Sequence, residues 1–376
     1  MNNSNISRLQ FFELLGAGLW GRDVNQEIFR DKEPNWDIIW ELSRQQAVVG
    51  LVYDAIMTLP QDLMPPNMKR WLYFTIRLEE VNKYQIQELA KIFTEFKKKG
   101  LDPILLKGQG LAQYYINPLR RQYGDFDILG AKGDDKKISE ILLCLGAIKI
   151  GNESGKHSTL HLDGIVIENH KTTCSMHYPK SREKWRKIEQ SELNEFGEYL
   201  MIDKLPVRTP STNFNAFYIF EHTFHHLLRG GVSLKQFCDW ARFIFVNRDK
   251  IDSSKVHKIL KELGLLDAAS LFEDFMVKYL GFPSEKRLFK SIENQPLLDG
   301  LLCDILGDDG SGQSDADRKN TSNFFEKKFN KLSHNLKRGE KYTAIVPNEV
   351  RWLFRFSVRA NISVMWYKCK GLFVKK

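Results

Sequence analysis

The chain has 376 residues, 42% of them hydrophobic and 27% charged, which is enough apolar surface for a sizeable core and for two or three domains. No apolar run approaches the roughly 20 residues of a spanning helix, and the N-terminal stretch lacks the basic start and small-residue cleavage site of a secretory signal, so a helical integral membrane protein is excluded and export is not expected. The net charge of +9 is uneven, because residues 318–376 hold fifteen Lys and Arg against three Asp and Glu; a basic segment of that kind suits nucleic acid, anionic lipid or an acidic substrate equally.

Residues 1–100 read as helical, since apolar positions recur at three and four: Trp36, Ile39 and Trp40, then Val48, Leu51, Val52 and Ala55. Asn35 or Asp37 is placed to cap the first of these, and a long helix is expected from about Pro66 to Lys99, ending at Gly100. The pattern changes at Leu101. Pro103–Leu106 is a short apolar strand entering the turn Lys107-Gly108-Gln109-Gly110, and residues 111–116 continue as a short helix. After a loop, 125–129 is a second strand and 134–146 an amphipathic helix. Residues 147–150, 158–162 and 165–169 read as three further strands, the last two joined by Asp163-Gly164, a dipeptide suited to a tight hairpin. From Thr212 the chain returns to helix. One apolar stripe ends at Gly230-Gly231, the next helix opens with the capping box Ser233 to Gln236, and helical pattern runs on to about Leu306. Residues 307–322 are almost purely polar and read as a linker, and 323–376 as a basic, aromatic helical tail. Five scattered cysteines with no Cys-x-x-Cys pair argue against a disulfide framework and a thiolate zinc site, which favours a cytoplasmic location.

Three features between 101 and 170 carry chemistry. Asp125 and Asp127 lie two apart on a predicted strand, so both carboxylates share a face and repel unless a cation stands between them; a hard, octahedral cation such as Mg²⁺ (or Mn²⁺), completed by substrate phosphates, suits them. The Gly108-Gln109-Gly110 turn joins a strand to a helix, a place where exposed N–H groups favour phosphate, with Lys107 beside it as a charge partner. A third carboxylate, Glu168, falls on one strand face with Val166 and His170.

Their order resembles the nucleotidyltransferase superfamily that includes DNA polymerase β. More narrowly, the run from Leu106 to Tyr115, Pro118, and Arg121-Gln-Tyr-Gly124-Asp125-Phe-Asp127-Ile-Leu129 are similar to a bacterial family of uncharacterised nucleotidyltransferases, whose pattern is Lys-Gly-x-x-Leu-Ala followed by Arg-x-x-Gly-Asp-x-Asp. The likeness extends over about residues 30–250, through Val166–His170 and the helices around His222, His226 and Asp239. It implies metal-dependent transfer of a nucleoside monophosphate from NTP to an acceptor hydroxyl. Asp125, Asp127 and Glu168 would hold the metals, and Lys107, Gly108, Gly110, Arg121 and Gly124 the nucleotide. His170, His222, His226 and Asp239 would line the substrate cleft. One departure is that the superfamily's Gly-Ser turn is Gly108-Gln109 here, so a hydroxyl contact to phosphate is missing.

The expected fold is α+β: a minimal nucleotidyltransferase α/β domain with a mixed sheet over 101–210, flanked by a helical region 1–100 and a helical domain 211–306. The acceptor is expected to be a small molecule, a sugar or a peptide-like group. RNA, a tRNA end for instance, is the alternative, with the basic tail as anchor. A degenerate nucleotide-binding scaffold is a second alternative, and peripheral membrane contact through the aromatic, basic residues 350–376 a third feature to weigh. His222 and His226, four apart on one helix face, lack the Glu placement of a His-Glu-x-x-His zinc site and are read as cleft-lining.

Overall fold

The helical periodicity of the first hundred residues is realised in five helices of the computed structural model, which describes residues 3–151, 155–195, 197–307, 333 and 337–359. They are α1 (Asn3–Trp20), α2 (Glu27–Arg30), α3 (Trp36–Gln45), α4 (Val49–Ile56) and α5 (Met68–Lys98). The Asn35 side chain caps α3 by accepting from the Ile38 N–H at 3.1 Å. The α5 helix stops at Lys98, two residues before Gly100, whose φ of +73° ends the helix in the left-handed region.

A sheet then forms around two short central strands, β1 (Ile104–Leu105) and β2 (Phe126–Leu129), with α6 (Gln109–Ala112) between them and α7 (Asp135–Cys144) after β2. Three more strands follow, β3 (Ile148–Ile150), β4 (His157–Leu162) and β5 (Ile165–His170). Asp163 and Gly164, with φ of +47° and +82°, make the tight β4–β5 turn that their sequence predicts. Helix α8 (Pro179–Glu195) and the hairpin β6 (Gly197–Ile202) and β7 (Leu205–Pro210) complete the layer. The strand order is β3-β4-β5-β2-β1-β7-β6, with β2–β5 and β1–β7 parallel and the other neighbours antiparallel. This mixed sheet with helical flanks is the expected α+β class. One element is shorter than expected: α6 is a single turn, and residues 113–115 continue it only as turns closed by Tyr114 and Tyr115 N–H groups onto the carbonyls three residues back.

The C-terminal helices are α9 (Thr212–Arg229), α10 (Leu234–Asn247), α11 (Ser253–Leu263), α12 (Leu266–Leu280) and α13 (Gln295–Leu306). Residues 337–341 and 347–359 are also helical. Most of the expected linker and basic tail lies outside the described residues. Two apolar cores result. One lies between the sheet and α5 and α7, and contains Phe93, Phe96, Phe126, Ile128, Leu142 and Ile167. The larger one joins the N-terminal helices to the C-terminal ones through Phe11, Trp40, Phe217, Trp240 and Phe272, and includes Tyr342, Val346 and Leu353. The site described next lies where sheet and C-terminal helices meet, so both cores hold its walls. Among the described residues, no helix is long and apolar enough to cross a membrane.

Candidate active site

Strand β1 delivers the chain into the glycine turn. The Leu106 N–H donates to the Asp127 carbonyl at 2.9 Å, and Gly108 then adopts φ +63° and ψ −120°. A Cβ at Gly108 would stand 2.9 Å from the Asp125 carbonyl oxygen, so the close approach of turn and strand requires glycine. Gln109 is turned away from the site, and its Nε2 donates to Asn82 Oδ1 at 3.1 Å and Gln85 Oε1 at 3.0 Å on α5. Gln109 thus anchors the turn to the helix behind it. Gly110 is buried one step further along, against Leu105, and does not line the cavity.

The carboxylates meet through strand pairing. Parallel β2 and β5 are in register with Asp127 opposite Glu168 and Leu129 opposite His170. Asp125 stands one residue before β2, and oxygens of Asp125, Asp127 and Glu168 all lie within 4.8 Å of one another. Lys107 and His170 already serve this group. Lys107 Nζ is 2.9 Å from Asp127 Oδ1, and His170 Nε2 is 2.8 Å from the same oxygen and 3.2 Å from Glu168 Oε2. Burial pushes the Asp127 carboxyl up, but Lys107 and His170 outweigh it and hold it well below its ordinary value. Glu168 is lowered too: burial opposes, and the His170 hydrogen bond prevails. Asp125 differs, since no cation is within ion-pair distance of it among the described residues, and burial together with the Asp127 charge raises its pKa. An oxygen-rich group with one uncompensated carboxylate is a donor set that a hard divalent cation fits.

Arg121 and Asp239, both expected at the nucleotide or in the cleft, are brought together as a buried pair. Arg121 donates from Nε to Asp239 Oδ1 at 2.7 Å and from Nη2 to Oδ2 at 2.8 Å, and the Tyr115 hydroxyl donates to Oδ1 at 2.6 Å. The pair ties the loop before β2 to α10. Gly124 lines the cavity between it and Asp125.

His222 and His226 face the carboxylates from α9. His222 Nε2 accepts from Lys107 Nζ at 2.8 Å, and the two rings lie 4.4 Å apart. Burial, then the Lys107 charge, lowers both, His226 to about 4, so both rings are neutral near pH 7.

These groups enclose a cavity of about 340 Å³, with an acidic end at Asp125, Asp127 and Glu168 and a cationic wall of Lys156, Arg229 and Lys235. The sequence reading missed this wall because its members come from β4's approach, the end of α9 and the first turn of α10. Lys156 Nζ donates to Ser175 Oγ at 2.6 Å. Lys235 has no carboxylate within ion-pair distance among the described residues, and burial with the nearby Arg121 charge lowers its pKa to about 8.

Behind the wall lies a buried latch from the C-terminal segment. Glu349 Oε1 accepts from the His177 N–H at 2.6 Å, from His177 Nδ1 at 2.8 Å and from His225 Nε2 at 2.9 Å, while Oε2 accepts from the Tyr178 N–H at 2.9 Å. His225 Nδ1 donates to the Glu221 carbonyl at 2.9 Å, and Arg229 Nη2 donates to His177 Nε2 at 2.7 Å. Both His225 nitrogens face acceptors, so the ring is an imidazolium, consistent with its raised pKa, burial notwithstanding.

Among curated proteins, none matches this chain. A solved structure, that of an antigenic nucleotidyltransferase-like protein from Paracoccidioides brasiliensis, is 13% identical with a TM-score of 0.32, over 55% of this chain and 92% of that one. The family model described as "Uncharacterised nucleotidyltransferase" matches residues 32–281, well over half of the chain, so the chain belongs to that family of nucleotidyltransferases.

Proposed function

We propose that the protein transfers a nucleoside monophosphate group from an NTP to a hydroxyl of a small-molecule, sugar or peptide-like acceptor. The acceptor oxygen bonds to the α-phosphorus, the bond from that phosphorus to the bridging oxygen breaks, pyrophosphate leaves, and the acceptor proton passes to solvent. One observation carries this reading: Asp127 and Glu168 meet in register beside Asp125, facing the Gly108 turn, at the acidic end of a cavity whose other wall is cationic. The family membership supports it.

The acidic end suits Mg²⁺ or Mn²⁺, held by Asp125, Asp127 and Glu168; when bound, such an ion supplies neutralisation of the charge that develops on the transferring group. The chain's own groups do the positioning. Gly108 lets a polyphosphate approach the main chain, and Arg229 and Lys235 offset its charge. Lys107 and His170 keep Asp127 ionised and oriented. A cavity of about 340 Å³ is of small-molecule size, which favours a small acceptor or a single protruding hydroxyl over an extended polymer.

The test is calorimetric titration of ATP, GTP, CTP and UTP with Mg²⁺, on the wild type and on a folded variant carrying both Asp125→Asn and Asp127→Asn. Binding of at least one NTP that requires the metal and disappears in the variant is the expected result, followed by an acceptor screen scored on pyrophosphate release. Binding that ignores both the metal and the substitutions would sink the reading.

A further inference from the structure

Beside the carboxylate trio stands a second donor set that is rich in nitrogen. On antiparallel β4 and β5, His157 lies directly across from His170, and Thr159 across from Glu168, so both imidazoles and the Glu168 carboxylate converge on one sheet face. Ligand atoms of His157, Glu168 and His170 all lie within 4.8 Å of one another. His157 Nε2 is 3.5 Å from Glu168 Oε1, and His170 Nε2 is 3.2 Å from Glu168 Oε2. The two rings are 5.2 Å apart between centroids. Tetrahedral ligands at about 2.0–2.1 Å from a metal are separated by about 3.4 Å. The two imidazole–carboxylate spacings are therefore close to those of one coordination sphere, and the remaining pair lies within 4.8 Å.

We propose that His157, Glu168 and His170 form a distinct metal site that takes an imidazole-preferring transition metal such as Zn²⁺ or Co²⁺, with Glu168 shared between it and the carboxylate trio. The donor chemistry separates the two positions. Asp125, Asp127 and Glu168 offer only oxygen, which Mg²⁺ requires, while two imidazoles and one carboxylate leave a fourth position open to water or substrate and favour the later first-row metals. On binding, His170 Nε2 gives up its proton to solvent and exchanges its hydrogen bonds to Asp127 and Glu168 for the metal bond. The other His–Glu cluster among the described residues does not compete. In His177, His225 and Glu349 the nitrogens are occupied by Arg229, the Glu221 carbonyl and the Glu349 carboxylate, which makes it a structural latch. The site needs no nucleotide to form and so stands or falls separately from the transferase reading.

The test is a visible-absorption titration of the full chain with Co²⁺ alone, on wild type, His157→Ala, His170→Ala and Asp125→Asn, each confirmed folded by circular dichroism. His157 is half-buried on β4, so its replacement is the variant least expected to disturb the fold. One Co²⁺ per chain with the intense absorption of a four-coordinate ion, displaced by equimolar Zn²⁺ but not by millimolar Mg²⁺, is the expected result. Both histidine variants should weaken it at least tenfold, and Asp125→Asn should retain it. Pulsed electron paramagnetic resonance on bound Cu²⁺ should show imidazole nitrogen coupling that His157→Ala diminishes. Unaltered Co²⁺ affinity in folded His157→Ala, or free displacement by Mg²⁺, would overturn the proposal. NTP binding with Mg²⁺ by the same preparations reports on the transferase reading alone.

Discussion

Arg121 holds Asp239 through two parallel hydrogen bonds, 2.7 and 2.8 Å long, across 118 residues of sequence and with both side chains buried. A bidentate pair of this kind fixes the loop that precedes the carboxylates onto α10. Removing one partner leaves the other as an unmatched buried charge. Asp239→Ala is expected to cost about 3–5 kcal/mol in denaturant unfolding. Arg121→Met with Asp239→Leu should recover much of that loss, because the apolar pair leaves no charge behind.

Gly108 should tolerate no side chain. Its φ of +63° and the 2.9 Å that a Cβ would leave to the Asp125 carbonyl combine a backbone penalty with a steric one. Gly108→Ala is expected to lose on the order of 1–3 kcal/mol of stability. Because the displaced neighbour is Asp125 itself, NTP binding should fall by more than the drop in Tm implies, and paired thermal melts and calorimetry measure the difference.

Lys235 gives a pH signature. Its pKa is lowered to about 8 in the free protein by burial and by Arg121, and a bound polyphosphate favours its charged form. NTP affinity should therefore decline as pH rises through about 8. In Lys235→Ala the affinity should be about tenfold weaker at pH 7, and the step near pH 8 should be absent. Calorimetry between pH 6.5 and about 9.5 checks both. An unchanged step in the variant would assign the titration elsewhere.

Glu349 should govern acid stability. Burial raises its carboxyl, but hydrogen bonds from His177 and His225 outweigh that and hold it well below 4.5. A group depressed on folding contributes stability that is complete above its unfolded pKa and is lost as pH falls through the folded value. Wild type should lose stability steeply below about pH 4.5. Glu349→Gln should be less stable at neutral pH and show a shallower acid limb, as denaturant midpoints across pH 3–7 would reveal.

The parts of the site that the sequence discloses are those written in local periodicity. Asp125, Asp127, Glu168 and His170 follow from period-two counting, and Gly108 from a strand, a glycine and a helix in succession. What the sequence hides is pairing between distant elements. The β6–β7 hairpin turns on Asp203 and Lys204, both at positive φ without a glycine, so nothing in the local sequence marks its turn. Lys156, Arg229 and Lys235 look like ordinary surface cations until three separate elements set them around one cavity. Arg121 and Asp239 were each legible as cleft residues, but nothing local reveals that each neutralises the other.

The Glu349 latch bears on where this protein can be cut. The family-matched stretch ends at residue 281, yet the carboxylate that engages His177 and His225, and through His177 the cavity-lining Arg229, is supplied 68 residues later. A fragment trimmed to the family boundary would present an unmatched imidazolium and guanidinium behind the cavity. The smallest faithful unit for expression, crystallisation or transplantation is therefore longer than the recognisable homology, and must run at least through the helix at residues 347–359.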